Sequence, residues 1–127
     1  MLEAKVLKDV GKLLELYEFH GMTVWYSRLN SGKVRVFGNW IKLCEPGTSD
    51  YVAVIRNRAN GLSLLFLECK RGDGKGRLSP DQEKFRDRFM GIEDVYYLEV
   101  IDPIQVRELI NRIAIDKTQY LPDTVGI

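Results

Sequence analysis

Along residues 2–19 the apolar side chains fall at Val6, Val10, Leu13, Leu14 and Tyr17. That spacing lines one face of a helix and predicts a helix over 2–19. Gly11 weakens the pattern without breaking it, and His20-Gly21 is a natural stop because glycine accepts the left-handed conformation at a helix end. The period then changes. Thr23, Val24, Trp25 and Tyr26 are strand formers, and Asn30-Ser31-Gly32 is a turn signal before Lys33-Val34-Arg35-Val36-Phe37, which alternates like a second strand. Residues 38–49, punctuated by Pro46 and Gly47, read as irregular, and Trp25 and Trp40 as core or edge packing. A short apolar strand is predicted over 51–55, a polar loop over 56–61 and a further strand over 62–70. In that last strand Leu64 and Phe66 take one face and Leu65 and Leu67 the other, as in a central strand covered on both sides. A glycine-rich, mobile connection follows at 72–76. Ser79-Pro80-Asp81-Gln82 opens a helix reaching about Met90: Ser79 caps it, Pro80 suits its first position and Gln82 completes a capping box. A strand at 96–101 leads to Asp102-Pro103-Ile104-Gln105, the same start chemistry, and a helix to about Ile113. This order predicts a single α/β domain over 1–115, a mixed central sheet flanked by helices, with a loosely held tail at 116–127.

One tripeptide disturbs this pattern. Glu68-Cys69-Lys70 closes the apolar run 62–67, and alternation sends Glu68 and Lys70 to one face and Cys69 to the other. Charges on a core strand need a partner or a metal. If 51–56 and 62–67 form an antiparallel hairpin, the loop sets the register. A five-residue loop, Asn57 to Gly61, puts Asp50 opposite Glu68, whereas a tight Asn60-Gly61 turn puts Ala53 there. In either case Asp50 and Glu68 lie at the same end of the hairpin, as a hard oxygen site for Mg²⁺ or Mn²⁺. Lys70 is then placed to contact a scissile phosphate or position a water whose pKa the metal lowers.

Composition narrows the function classes. The chain has 127 residues and a net charge of +1, so global charge does not mark it as a nucleic-acid binder. Its bases are clustered, however. Arg28, Lys33, Arg35 and Lys42 occur without an acid between Ser27 and Lys42, and Lys70, Arg71, Lys75 and Arg77 surround Asp73. No stretch is apolar enough to span a bilayer, and the first residues lack a signal-peptide core. Cys44 and Cys69 imply reduced thiols in a cytosolic setting rather than a disulfide framework. His20 is the sole histidine, which argues against zinc-hydrolase and Ser-His-Asp chemistry. Residues 72–76 lack Walker spacing, so no nucleotide cofactor is expected.

An acid before one strand and Glu-x-Lys at the end of the next resembles the PD-(D/E)xK nuclease superfamily. Gly47-Thr48-Ser49-Asp50, Leu67-Glu68-Cys69-Lys70 and Gly76-Arg77-Leu78-Ser79-Pro80-Asp81-Gln82 are similar to the VRR-NUC branch, in its stand-alone phage and bacterial form. That branch reads Gly-x-Pro-Asp, Glu-x-Lys, then Gly-Arg-Leu-Ser-x-x-Gln, so Ser49 departs from its usual proline. The resemblance covers roughly residues 3–110. It implies a restriction-endonuclease-like core, Asp50 and Glu68 as metal ligands with the Cys69 carbonyl, Lys70 as the catalytic lysine and Gln82 beside metal-bound water or substrate. It also implies a glutamate on the first helix, for which Glu3 fits best and Glu15 and Glu18 are rivals.

The expectation is a Mg²⁺-dependent DNA endonuclease, with Mn²⁺ as a substitute, acting on branched or Holliday-junction DNA as a homodimer in the cytoplasm of a bacterium or phage-infected cell. Arg28, Lys33, Arg35, Arg71, Lys75 and Arg77 would grip phosphates. Val34-Arg35-Val36-Phe37 or Val24-Trp25-Tyr26 could supply the dimer contact. The competing class is a catalytically silent DNA- or protein-binding module on the same fold.

Overall fold

The computed structural model describes residues 2–29, 33–42 and 44–114, with backbone alone at Lys33, Val34, Val36, Ile41 and Lys42. The Asn30-Ser31-Gly32 turn and the tail 116–127 lie outside the described residues.

The first element is α1 (Glu3–Phe19), followed by β1 (Thr23–Arg28), β2 (Lys33–Val36), β3 (Asn39–Lys42), β4 (Tyr51–Arg56), β5 (Leu62–Cys69), α2 (Pro80–Phe89), β6 (Val95–Val100) and α3 (Pro103–Ile113). The main sheet has strand order β1-β4-β5-β6. β1 and β5 pair antiparallel to β4, while β6 runs parallel to β5, which requires the crossover that α2 supplies. The sheet is therefore mixed, and β5 lies inside it as its two apolar faces predicted.

The helices divide between the faces. Val6, Val10, Leu13, Leu14 and Tyr17 of α1 are all buried, and they share one core with Tyr51, Ala53 and Ile55 of β4, with Leu65, Leu67 and Cys69 of β5, and with Val106, Leu109 and Ile110 of α3. Burying each valine, leucine or isoleucine among them stabilises the fold by roughly 1.5–3 kcal/mol. A smaller core on the other face joins Val52 and Phe66 to Phe85 of α2. Phe66, Phe85 and Phe89 meet there ring to ring, with centroids 4.4–5.2 Å apart. Both helix starts carry complete capping boxes, Ser79 with Gln82 and Asp102 with Gln105.

One expectation needs correcting and another narrows. Residues 38–49 are not wholly irregular, because β3 pairs with β2 across Phe37-Gly38 as a separate two-stranded sheet. Phe37 and Gly38 both have positive φ, 51° and 81°, the requirement of a tight type I′ hairpin turn. Of the core-or-edge alternatives for Trp25 and Trp40 the core is excluded, since they are 51% and 66% exposed, and Trp25 lies on the edge strand β1. Among the described residues no helix is long and apolar enough to cross a membrane.

Candidate active site

The hairpin register settles the placement of the acids. Tyr51 pairs with Leu67 and Arg56 with Leu62, so the five-residue loop is the one used and Asp50 continues the ladder opposite Glu68. The Leu29 N–H donates to the Asp50 carbonyl at 2.7 Å, which ties this end of β4 to the end of β1. The Asp50 carboxylate accepts the Cys69 N–H at 2.7 Å through Oδ2, and its Oδ1 lies 3.8 Å from the Arg28 guanidinium. Asp50 thus clamps the β5 end from across the ladder while keeping one oxygen toward solvent-facing charge.

Glu68 and Lys70 face α2, and both are buried. Gln82 stands between them. Its Nε2 donates to Glu68 Oε1 at 2.6 Å, and its Oε1 accepts from Lys70 Nζ at 3.0 Å and from the Ser79 N–H at 2.8 Å. One amide therefore caps its own helix and bridges the two charges. Lys70 Nζ also donates to the Arg77 carbonyl at 3.3 Å and lies 3.7 Å from Glu68 Oε1. Both contacts of the Glu68 carboxylate, with Gln82 and with Lys70, fall on Oε1. The other, Oε2, is buried without a hydrogen-bond partner. A buried carboxylate oxygen left bare is costly, by about 1–3 kcal/mol or more for a charged group.

The electrostatics carry the same signature. Burial, then the Asp50 charge, pushes the Glu68 carboxyl up to about 7; Lys70 opposes this and Glu3 adds to it. Asp50 is likewise raised by burial, opposed by the Cys69 N–H and Arg28, with Glu3 again raising it. Glu3 is thus the first-helix acid whose charge reaches the site, whereas Glu15 and Glu18 act on Tyr26. Asp50 and Glu68 thus each raise the other's cost of ionisation, and burial adds to it.

A hard divalent cation fits this donor set, and the bare Glu68 Oε2 is the observation that tests it. Among the described residues no three His, Cys, Asp or Glu side chains form a ready-made metal cluster. Two carboxylates completed by backbone oxygen and water are within the habits of magnesium, which keeps several waters. Cys69 can serve only through its backbone, since its thiol is fully buried in the larger core and burial raises its pKa far above the usual thiol range.

The basic residues are less convergent. Arg28 lies at the site, its guanidinium 5.6 Å over the Tyr51 ring. Arg71 is exposed and paired with Asp73, whose carboxylate also accepts the Lys75 N–H, so residues 71–75 close as a bonded turn. Arg77 is exposed and serves the site through its carbonyl. Arg35 lies on the β2–β3 hairpin, and the Lys33 side chain lies outside the described residues.

Two further residues matter at the site, one present in the Gly47–Asp50 motif without a role and one not singled out. Gly47, at φ +88°, runs so close to α2 that a Cβ there would come within 2.2 Å of the Asp81 carbonyl oxygen. Tyr97 of β6 faces α2 beside Glu68, and its hydroxyl is also buried without a partner. The signal for Gly47 was its position three residues before Asp50; Tyr97 is found only through the parallel β5–β6 register.

Comparison of the chain with protein-family models, curated proteins and solved structures gives no match. The functional reading therefore stands on the site itself.

Proposed function

We propose that this protein is a divalent-metal-dependent DNA endonuclease of the PD-(D/E)xK type, VRR-NUC branch, with a restriction-endonuclease-like core. The observation that carries this reading is the pair of buried charges Glu68 and Lys70, bridged by Gln82, with one Glu68 oxygen bare beside Asp50. A structural ion pair would satisfy both carboxylate oxygens internally. Here one oxygen is held and the other is kept open, as a ligand must be. The helix–strand order, with three antiparallel strands and a fourth parallel across a helix, supports the same core.

Asp50 and Glu68 would hold Mg²⁺ or Mn²⁺, with the Cys69 carbonyl as a further oxygen. The ion, when bound, supplies a water of lowered pKa and charge neutralisation on the phosphate. The chain's own residues do the rest. Gln82 fixes the Glu68 carboxylate and holds the Lys70 ammonium, so both present one geometry to the substrate. Lys70, nearly dry and cationic, directs N–H donors toward the attacking oxygen or the scissile phosphate. Glu3 acts at longer range, and Arg28 offers a guanidinium for a flanking phosphate. Branched DNA, a homodimer and a cytoplasmic setting complete the proposal.

The test is cleavage of a supercoiled plasmid and of a four-way junction in Mg²⁺, in Mn²⁺ and in EDTA. Cleavage that requires the metal, and falls at least about 100-fold in Glu68→Ala and Lys70→Ala, is expected. Variants that cut like the native protein would sink the site assignment. DNA binding with no cleavage under any metal would favour the silent module.

A further inference from the structure

The chain between Leu29 and Asp50 contains a two-stranded hairpin that pairs with itself and not with the main sheet. Leu29, the last described residue before it, donates to the Asp50 carbonyl. At its tip Phe37 has φ 51°, a strained conformation for a bulky side chain, and is 100% exposed, so no packing among the described residues accounts for it. Arg35 and Trp40 form a cross-strand pair with the guanidinium 5.9 Å over the indole ring, and Trp40 is 66% exposed. The segment from Ser27 to Lys42 carries Arg28, Lys33, Arg35 and Lys42 and no acid.

We propose that this hairpin is a wedge for branched DNA: Phe37 stacks on the bases exposed at a strand junction, and the Arg35–Trp40 pair supports the adjacent strand. The inference rests on the nuclease reading for its choice of polymer and names the feature of the substrate that is read. An exposed aromatic tip flanked by bases suits a ligand with apolar ring faces and a polyanionic backbone. A second copy of the chain suits it poorly. A two-fold contact through this hairpin would set its bases against their own copies with no acid between Ser27 and Lys42 to meet them. In sequence the hairpin lies between Leu29 and Asp50, the two residues joined by the Leu29 N–H to Asp50 carbonyl bond.

The experiment is binding, measured in EDTA so that it does not depend on hydrolysis. Fluorescence anisotropy would compare a splayed fork with a blunt duplex of the same length, and 2-aminopurine at the fork would report unstacking. Phe37→Ala and Trp40→Ala are exposed substitutions and should leave the circular dichroism spectrum unchanged. The expected result is about tenfold weaker fork binding in each, loss of the 2-aminopurine signal in Phe37→Ala, and little change on the duplex. Arg35→Gln should weaken both substrates and lower the salt dependence. Fork binding equal to wild type in Phe37→Ala and Trp40→Ala overturns the wedge, as does a native protein with no preference for the fork. A mass change from dimer to monomer in Phe37→Ala overturns it in favour of a second copy. A protein that prefers the fork through Phe37 yet cuts nothing keeps the wedge and removes the nuclease reading; one that cuts forks as well without Phe37 does the reverse.

Discussion

Gln82 Nε2 donates to Glu68 Oε1 at 2.6 Å while the same side chain closes the capping box of α2 through the Ser79 N–H. Helix start and site geometry are therefore one structural unit. Gln82→Ala removes the reciprocal cap bond and leaves Lys70 and Glu68 each short of a partner. We expect a loss of about 2 kcal/mol in urea unfolding. Gln82→Glu separates the roles, because glutamate at this position also completes a capping box but, when ionised, cannot donate to Glu68. At pH 5, where neighbouring carboxyls can share a proton, Gln82→Glu should be more stable than Gln82→Ala, while both cut DNA more slowly. Equal stability of the two variants would show that the cap contributes nothing separate.

The raised Glu68 pKa sets the pH dependence of the metal-free protein. The folded carboxyl titrates near 7, against 4.5 for the group free of such surroundings. Between those values the folded state holds a proton that the unfolded chain has released, so stability falls as pH rises through this window and is level above it. The span corresponds to about 3 kcal/mol. Thermal melts in EDTA should show higher stability at pH 5 than at pH 7.5, and Glu68→Gln should flatten that slope. Saturating Mg²⁺ should restore stability at pH 7.5 in the native protein and do so far less in Glu68→Gln. A native protein whose melting is flat over this range would contradict the assignment of Glu68 as a buried, charge-crowded group.

Gly47 holds the Asp50 segment against α2. Its φ of +88° disfavours any side chain, and a Cβ would meet the Asp81 carbonyl oxygen at 2.2 Å and the Gln82 nitrogen at 2.7 Å. Neither is the end of a flexible group, so one backbone must move. Gly47→Ala should cost more than about 2 kcal/mol, of which about 1–2 is conformational. It should also depress cleavage, because Asp50 and Gln82 separate. Gly91→Ala is the control: φ is +78°, but nothing lies within 4 Å, so only the conformational part is expected and cleavage is kept. Denaturant midpoints and cleavage rates of the two variants check this directly.

What could be read from the chain follows the range of the forces involved. The buried face of α1 and the capping boxes at Ser79 and Asp102 are local patterns, and they appear where spacing and side-chain chemistry put them. The Asp50–Glu68 alignment was reduced to a choice of loop length, and the Asn57–Gly61 loop decided it; Asn57 Oδ1 accepts the Ala59 and Gly61 N–H groups and so stabilises the longer form. β3 was missed because its turn uses phenylalanine at positive φ where asparagine or glycine is the usual signal. The core-or-edge alternatives for the two tryptophans stayed open because hydrophobicity alone does not tell a core strand from a free hairpin or a sheet edge, and Trp25 lies on the edge strand β1. Spacing favoured Glu3 over Glu15 and Glu18 but left the rivals standing, because the choice depends on where the N-terminal half of α1 crosses the sheet. Tyr51 of β4 bonds that half of α1 through the Leu7 carbonyl.

Tyr51 offers the clearest test of that crossing. Its hydroxyl donates to the Leu7 carbonyl of α1 at 3.0 Å, and the approach is possible because residue 11 is glycine: a Cβ there would lie 2.5 Å from the hydroxyl oxygen. In an isolated helix Gly11→Ala would stabilise by about 1 kcal/mol. In this protein it should destabilise by about 1 kcal/mol or more, since Tyr51 is buried and the helix must lift or lose its bond. Tyr51→Phe removes the obstructing oxygen, and the next ring atom then stands 3.4 Å from the added carbon. Gly11→Ala made in that background should therefore be neutral or stabilising, giving a coupling of about 2 kcal/mol in a double-mutant cycle of urea unfolding. Because α1 carries Glu3 toward Asp50 and Glu68, the single Gly11→Ala variant should also lose part of the Glu3 effect. Its Glu68 carboxyl would then titrate lower than in the native protein, by NMR, as the helix retreats. Additive free energies across the cycle would mean that α1 is positioned by something other than the Tyr51–Gly11 contact.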